Sequence, residues 1–445
     1  MSHAFGTRRH RVWGAGLAVV CALTAGGAAS GADLKVDEDV LVEPAVRPIP
    51  QIEMDYVLDT GLVENRGSGR ASVYETVVRV ADAPWLRLKF ADVTLAPGSA
   101  ILVTSLKDGY SQLLDSYALE AWGNTSAYFN GDALRVEIIA NPRTGKNRVV
   151  MLDLIAGLDA GFDTICGTTD DRVRSFDNRN GRGMPIGCSV WMIDDCARCF
   201  VTAGHCSTSS LQVIQFNVPL SLSNGTVQNP PPQDQYPVDV SSKQSVNGGT
   251  GNDWGYFGVQ RNTSTGMTPY EAYGQQAYTL AAAAPAVSGQ TIRITGYGTT
   301  SPANTLNQVQ KTHTGPYVTK SGNLIRYAVD TTGGNSGSPV VDEGTGLAIG
   351  IHTHAGCSSG GGSNQGTAID HPNFRAALAS PRGVCTQGLY CDVNADRMVN
   401  FSDLNVVLSN YGQSGALASG DVTGDGLVNF ADVNAVLNNW EERCN

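Results

Sequence analysis

Thr202-Ala203-Gly204-His205-Cys206, Asn252-Asp253-Trp254 and Gly334-Asn335-Ser336-Gly337-Ser338-Pro339 decide the reading of this 445-residue chain. A serine hydroxyl is a poor nucleophile until an imidazole takes its proton, and the imidazole needs a carboxylate to fix its tautomer and stabilise the imidazolium. His205, Asp253 and Ser336 supply these groups in that chain order. Glycines at 333, 334 and 337 let the backbone around Ser336 turn tightly. The N–H groups of Gly334 and Ser336 are the expected donors to an oxyanion formed there. Pro339 is expected to open the next strand, and Cys206 to anchor the loop that carries His205, with Cys188 as its partner. Asp239 is the nearest upstream alternative to Asp253, but it lacks the small and aromatic neighbours that bury such a carboxylate.

The motifs and their His-Asp-Ser order resemble those of chymotrypsin-fold, trypsin-like serine endopeptidases. The resemblance implies a mainly β protein with two six-stranded barrels over about Gly187 to Ala379, the catalytic residues in the cleft between them, and no cofactor for catalysis. Thr291 to Gly298 reads as a second-barrel strand ending in a tight turn, and Asn373 to Ala379 as a short closing helix.

Tyr327 to Pro339, with Ile349-Gly350-Ile351-His352, resembles the bacterial glutamyl endopeptidases of the V8 type. By that resemblance His352 and Thr331 bind an acidic P1 side chain, to which an imidazole and a hydroxyl can donate. Asp330, six residues before Ser336, argues for Lys or Arg if its carboxylate faces the pocket, and for Glu if it turns to the backbone. His354 reads as an exposed residue. A Cys166–Cys357 bridge is implied by likeness to some lysyl endopeptidases. Cys196 and Cys199 flank a turn and are expected to close across it, a zinc pair being the rival.

Length suggests about three folded domains. A basic start at Arg8, Arg9 and Arg11, an apolar run from Val12 to Ala25 and Ser30-Gly31-Ala32 read as a signal peptide over 1–32, hence a secreted protein, surface-associated at most. No later run is long enough to span a bilayer. A net charge of −11 excludes nucleic acid as a partner. Residues 33–160 alternate apolar and polar between turns without helix caps, as in a β-sandwich-like pro- or accessory domain. The protease domain is set at 161–380, its first part, 161–187, reading as an exposed linker open to activating cleavage.

Residues 381–445 hold a repeat. Asp392, Asn394, Asp396, Asn400 and Asp403 return as Asp421, Thr423, Asp425, Asn429 and Asp432, 29 residues on. Oxygen ligands at positions one, three, five, nine and twelve of a loop, with the carbonyls of Met398 and Leu427 at position seven, wrap Ca2+. Each loop runs into a helical pattern, Leu404 to Leu408 and Val433 to Leu437. The layout resembles a type I dockerin, which implies two calcium ions and a cohesin-like or cell-surface partner. Arg397 departs from the glycine that Gly426 keeps, and Phe401-Ser402 and Phe430-Ala431 depart from the usual small polar pair. Cys391 and Cys444 are placed to clasp the ends of this tail. Besides a protein or peptide substrate cut after Glu or Asp, two alternatives stand: a Lys/Arg-specific protease, and a non-catalytic adhesion or assembly component carried by the tail.

Overall fold

The computed structural model describes residues 49–157, 165–166, 169–358, 361–386, 391–394, 398–414, 420–423 and 426–441. The signal-peptide segment, Asp396, Arg397, Asp425 and Cys444 lie outside them. Among the described residues no helix is long and apolar enough to cross a membrane, which says nothing about β-barrels.

Residues 49–157 form two antiparallel sheets around one core. In the first, Lys146–Gly157 is central, pairing with Gln51–Asp59 and Trp85–Leu88. In the second, the order is Ala71–Arg79, Ala133–Ala140, Ala100–Ser105, Ser111–Leu114. Alternation dictates which face is inward: Leu134, Val136 and Ile138 are buried, whereas Arg135 and Glu137 between them are only half-buried. One element escaped the sequence reading. Asp115 accepts from Ala118 N and caps a short helix, Ser116–Ala121.

Trp85–Leu88 is buried on both faces, Arg87 included, because its second face meets the sheets that follow in the chain. Arg87 donates to Gln212 Oε1 at 2.6 Å, Gln235 bonds both the N–H and the carbonyl of Tyr128, and Asn130 and Asn229 exchange two hydrogen bonds. The apolar core of residues 49–157 also takes in Met184, Val213 and Val227.

Residues 173–368 form two further antiparallel sheets. The first has seven strands in the order Gln235–Pro237, Leu211–Gln215, Asn180–Pro185, Ser189–Met192, Phe200–Thr202, Asp253–Phe257, Gln244–Asn247. In the second, Lys311–Ser321, Thr291–Gly296, Pro339–Asp342, Ala348–His354, Asn364–Ala368 and Leu324–Tyr327 close into a six-stranded ring, with Val173–Arg174 on its edge. One apolar core, including Trp191, Phe200, Tyr256, Ile294, Ile351 and Phe374, runs through both. The expected closing helix is Pro372–Ala379, its Phe374 set edge-on to Trp254.

Two expectations change here. Residues 161–187 are not an exposed linker throughout: Asn180–Pro185 is a fully buried central strand, and Arg172 is buried ahead of it. Cys199 pairs with Cys385 rather than with Cys196, which removes both the turn-closing bridge and the zinc pair. Cys188–Cys206 and Cys166–Cys357 are bonded as expected.

In the tail, helices Phe401–Ser409 and Phe430–Asn438 pack around Val399, Val407, Val428, Val433 and Val436. Each starts with a capping box, Asn400 with Asp403 and Asn429 with Asp432.

Candidate active site

His205 sits in a 3-10 turn, Gly204–Cys206, directly after the strand Phe200–Thr202. A side chain at 204 would lie 1.9 Å from the carbonyl oxygen of Val246, so only glycine lets the turn approach the neighbouring strand. Asp253 opens the strand Asp253–Phe257 and is fully buried. Its Oδ1 accepts the backbone N–H of His205 at 2.9 Å, and its Oδ2 lies 2.5 Å from His205 Nδ1. Thr367 Oγ1 bonds both the N–H and the carbonyl of Asp253, which fixes the backbone that carries the carboxylate. The carboxylate accepts only, so the proton of neutral His205 resides on Nδ1 and Nε2 carries the lone pair. That Nε2 is buried and has no hydrogen-bond partner among the described residues.

Ser336 lies on the turn between Leu324–Tyr327 and Pro339–Asp342, and two bonds hold the backbone at and beside it against the first sheet. Ser189 N–H donates to Ser336 O and Trp191 Nε1 to Gly337 O, while Thr202 Oγ1 bonds Ser189 O within that sheet. Gly337, at φ +89°, passes so near the start of the His205 turn that a Cβ there would lie 3.1 Å from Ala203 N. Gly334, at φ +96°, is as constrained: a Cβ would meet Gln308 Nε2, Tyr297 O and Gly187 O, all under 3 Å. Among the described residues the N–H groups of Gly334 and Ser336 have no acceptor. Two free amides flanking a serine are what a developing oxyanion requires.

Asp239 is elsewhere. It caps the turn Val240–Ser242 and accepts from Ser241 N and Val384 N.

Behind the serine loop, Asp330 is fully buried and its carboxylate points to backbone: Oδ1 accepts from Cys166 N and Oδ2 from Asp171 N, each at 2.9 Å. Thr331 Oγ1 accepts from Asn364 Nδ2 at 2.9 Å. His352, on Ala348–His354, is buried, its Nδ1 2.8 Å from Tyr327 Oη. Since Tyr327 donates its one proton to Gln365 O, His352 Nδ1 donates to Tyr327. Burial above all, and then the like charges of His354 and His205, push His352 down to about 3. His354 is buried, not exposed as expected, with its ring centroid 6.1 Å from that of His205. The alternation of a strand shared by both histidines hides this, because both faces of Ala348–His354 are covered.

Asn364, Tyr327, Thr367 and Arg172 were not singled out by sequence reasoning. Asn364 follows a run of glycines and Arg172 lies in a polar stretch that reads as linker, so neither carries a motif.

In the tail, Asp403 and Asp432 are fully buried. Asp403 accepts from the N–H groups of Val393, Asn394 and Asn400, and Asp432 from those of Thr423 and Asn429 and from Thr423 Oγ1. Burial opposes ionisation of Asp432, but these donors outweigh it and hold its carboxyl below the usual range. Asp421 Oδ2 accepts from Gly426 N at 2.8 Å, closing the second loop on itself through the glycine at φ +84°.

A family model described as Trypsin matches residues 174–378. Over these residues, somewhat under half of the chain, the protein is similar to trypsin-like serine proteases. Over 201 residues the chain is 29% identical to the glutamyl endopeptidase of Bacillus licheniformis, covering 42% of this chain and 57% of that protein. Among solved structures, a Glu endopeptidase in complex with MPD is 20% identical with a TM-score of 0.37, over 48% of this chain and 98% of that one. A thermostable serine protease from an extremophilic microorganism is 19% identical with a TM-score of 0.34, over 43% and 90%. The chain thus spans little more than half the length of the Bacillus licheniformis glutamyl endopeptidase that it matches.

Proposed function

We propose that the protein is a secreted serine endopeptidase that cuts after Glu, and after Asp less readily, held in place by a calcium-binding tail. The observation that carries the catalytic reading is the buried Asp253–His205 pair, whose unpartnered Nε2 belongs to the same packed loops as Ser336. In this mechanism Ser336 Oγ attacks the scissile carbonyl carbon while His205 Nε2 takes its proton. The carbonyl oxygen becomes an oxyanion and accepts from Gly334 N–H and Ser336 N–H. The imidazolium, stabilised by Asp253, then protonates the leaving amine. Water repeats the sequence on the acyl-enzyme, with His205 again the base.

Support for Glu at P1 comes from Asp330. A carboxylate already taken by two backbone N–H groups, away from the pocket, leaves nothing to pair with Lys or Arg. Thr331 and His352 are then the polar groups for an acidic side chain. A Glu carboxylate would supply the negative charge that buried His352 lacks, so binding draws a proton onto its Nε2.

For the tail, Asp392, Asn394, Asp396, Asn400 and Asp403, with the Met398 carbonyl, are the proposed ligands of one Ca2+; Asp421, Thr423, Asp425, Asn429 and Asp432, with the Leu427 carbonyl, those of a second. The donor set is all oxygen, and no ion pair with Asp403 or Asp432 occurs among the described residues. These are the needs of a hard cation. Phe401 and Phe430, one repeat apart, are equally exposed, as suits a tail that meets a cohesin-like or cell-surface partner. Residues 49–157 are read as a retained accessory domain, since their core takes in side chains of the first protease sheet.

The test is digestion of a P1-scanning peptide library by the full secreted chain in calcium at neutral pH, read by mass spectrometry. Cleavage after Glu is expected. Cuts after Lys or Arg would overturn the pocket assignment, and no cuts together with no labelling by a fluorophosphonate would overturn the catalytic one.

A further inference from the structure

We infer that Arg172 is a positioning residue for the oxyanion amides: its guanidinium, reaching in from ahead of the protease strands, holds the Thr332–Asn335 turn in the form that leaves Gly334 and Ser336 N–H free. The inference rests on the serine-protease reading above.

The Arg172 side chain is 1% exposed, and each of its five N–H donors has an acceptor. Nε bonds Asp170 Oδ1 at 2.8 Å, and Nη2 bonds Asp170 Oδ2 at 2.7 Å and Thr299 O at 2.9 Å. Nη1 reaches Thr332 Oγ1 at 2.6 Å and Asn335 Oδ1 at 3.0 Å. Asp170 neutralises the charge. Both Nη1 donors are directed at the turn that ends on the nucleophile, and the second Nη2 donor at the neighbouring Thr299 carbonyl.

Other bonds reach the same turn: Ser189 Oγ donates to Gly334 O at 2.8 Å, Ser338 N–H to Asn335 O at 2.9 Å and Thr332 Oγ1 to Thr299 O at 3.1 Å, but Arg172 brings the one charged donor group seen there among the described residues. Asn335 N–H bonds Thr332 O, Thr332 N–H bonds Asn335 Oδ1, and Gly333 O accepts from Thr299 N. Asn335 Oδ1 thus accepts from both Thr332 N and Arg172, and it is the residue between the two amides. If it swings, the peptides on either side rotate, and the glycines at 333, 334 and 337 offer no steric resistance. Gly298 makes room for the contact: a Cβ there would lie 2.1 Å from Asn335 Oδ1 and 2.4 Å from Arg172 Nη1. The same stretch is tied to the pocket wall by Cys166–Cys357 and by the Asp171 N–H on Asp330.

A planar fork matters here more than a charge. Lysine is a point donor and cannot span Asp170, Thr299 and the turn together. Loss of the fork should cost catalysis in the transition state, where the amides act, and spare ground-state binding.

The experiment compares the full chain with Arg172→Met and Arg172→Lys, measuring fluorophosphonate labelling rate, kcat and KM on a Glu-P1 peptide, and melting temperature. For Arg172→Met the labelling rate and kcat should fall by about 30- to 100-fold, somewhat below the loss of a whole oxyanion donor, with KM within about three-fold. Guanidinium chloride at tens of millimolar should restore about ten-fold of that loss, and Arg172→Lys should recover only a small part. A folded Arg172→Met protein that labels at the wild-type rate, or whose lost rate guanidinium does not restore, overturns the inference. If Arg172→Met does not fold, Asp170→Asn decides: it keeps the fork but frees its far anchor, and an unchanged kcat there overturns the proposal. A wild-type chain that is not labelled at all would instead overturn the serine-protease reading beneath it.

Discussion

Asp253 and Asp330 are both fully buried, and both accept two hydrogen bonds, yet their regions of the molecule give them different work. Asp253 faces His205, accepting from its backbone N–H and its Nδ1. Its partner gains a positive charge during the reaction, so the carboxylate stabilises the transition state more than the ground state. Asp330 faces the N–H groups of Cys166 and Asp171. Those dipoles do not change during turnover. Its nearest imidazole, His313, accepts from Asp330 N–H through Nδ1 and so offers no proton to the carboxylate at that nitrogen. Burial is equal; what the acceptor faces separates the aspartate proposed for catalysis from the one proposed as structural.

The largest effect that would break the comparison is in Asp253→Asn. An amide can donate to His205 Nδ1, which sets the wrong tautomer and takes the lone pair from Nε2. kcat should fall about 10⁴-fold with the fold retained. A loss under about ten-fold would make Asp253 as structural as Asp330.

His352 extends the contrast to a buried base. Its pKa is pushed down to about 3 in the fold, against about 6.5 in an unfolded chain. Between those values the unfolded chain binds a proton that the folded one refuses, so stability falls as pH drops from about 6.5 towards 3, by on the order of a few kcal/mol. Urea midpoints measured from pH 7 to 4 should show a slope that His352→Gln flattens. Parallel slopes would mean that the folded protein admits the proton.

How far all this could be read from sequence follows from the same distinction. His205, Asp253 and Ser336 stand out in the sequence because the chemistry proposed for them demands glycines, a disulfide cysteine and a fixed order nearby, and each constraint leaves a letter in the chain. Asp330 showed its identity but not its direction, since the N–H groups that turn it lie over 150 positions upstream. The linker reading of 161–187 failed for a related reason: Arg172 and Asn180–Pro185 are polar or glycine-containing, and only tertiary partners bury them. The repeat at 392–432 set out its two helices well, because capping boxes are local.

Asp330→Asn tests the structural side. It keeps the shape but weakens two charge-assisted bonds to N–H groups, so stability should fall by about 1–3 kcal/mol. Preference for Glu over Lys at P1 should not move by more than about two-fold. A switch in preference, read from kcat/KM on paired peptides, would return Asp330 to the pocket and make it the specificity residue.

The smallest expected effect concerns the tail, whose Asp403 and Asp432 resemble Asp330 in accepting only from uncharged donors. They differ in what surrounds them: each closes a loop in which other oxygen donors recur, so their charge can be matched by a cation instead of by dipoles alone. Chelation should therefore leave kcat within about two-fold while hydrogen exchange accelerates across 398–411 and 426–440 by about ten-fold or more, a change of at least about 1.4 kcal/mol in local opening. Unchanged exchange would show that N–H donors alone suffice for these carboxylates, as they do for Asp330. A parallel loss of kcat would show instead that the tail's loops and the catalytic sheets open as one unit.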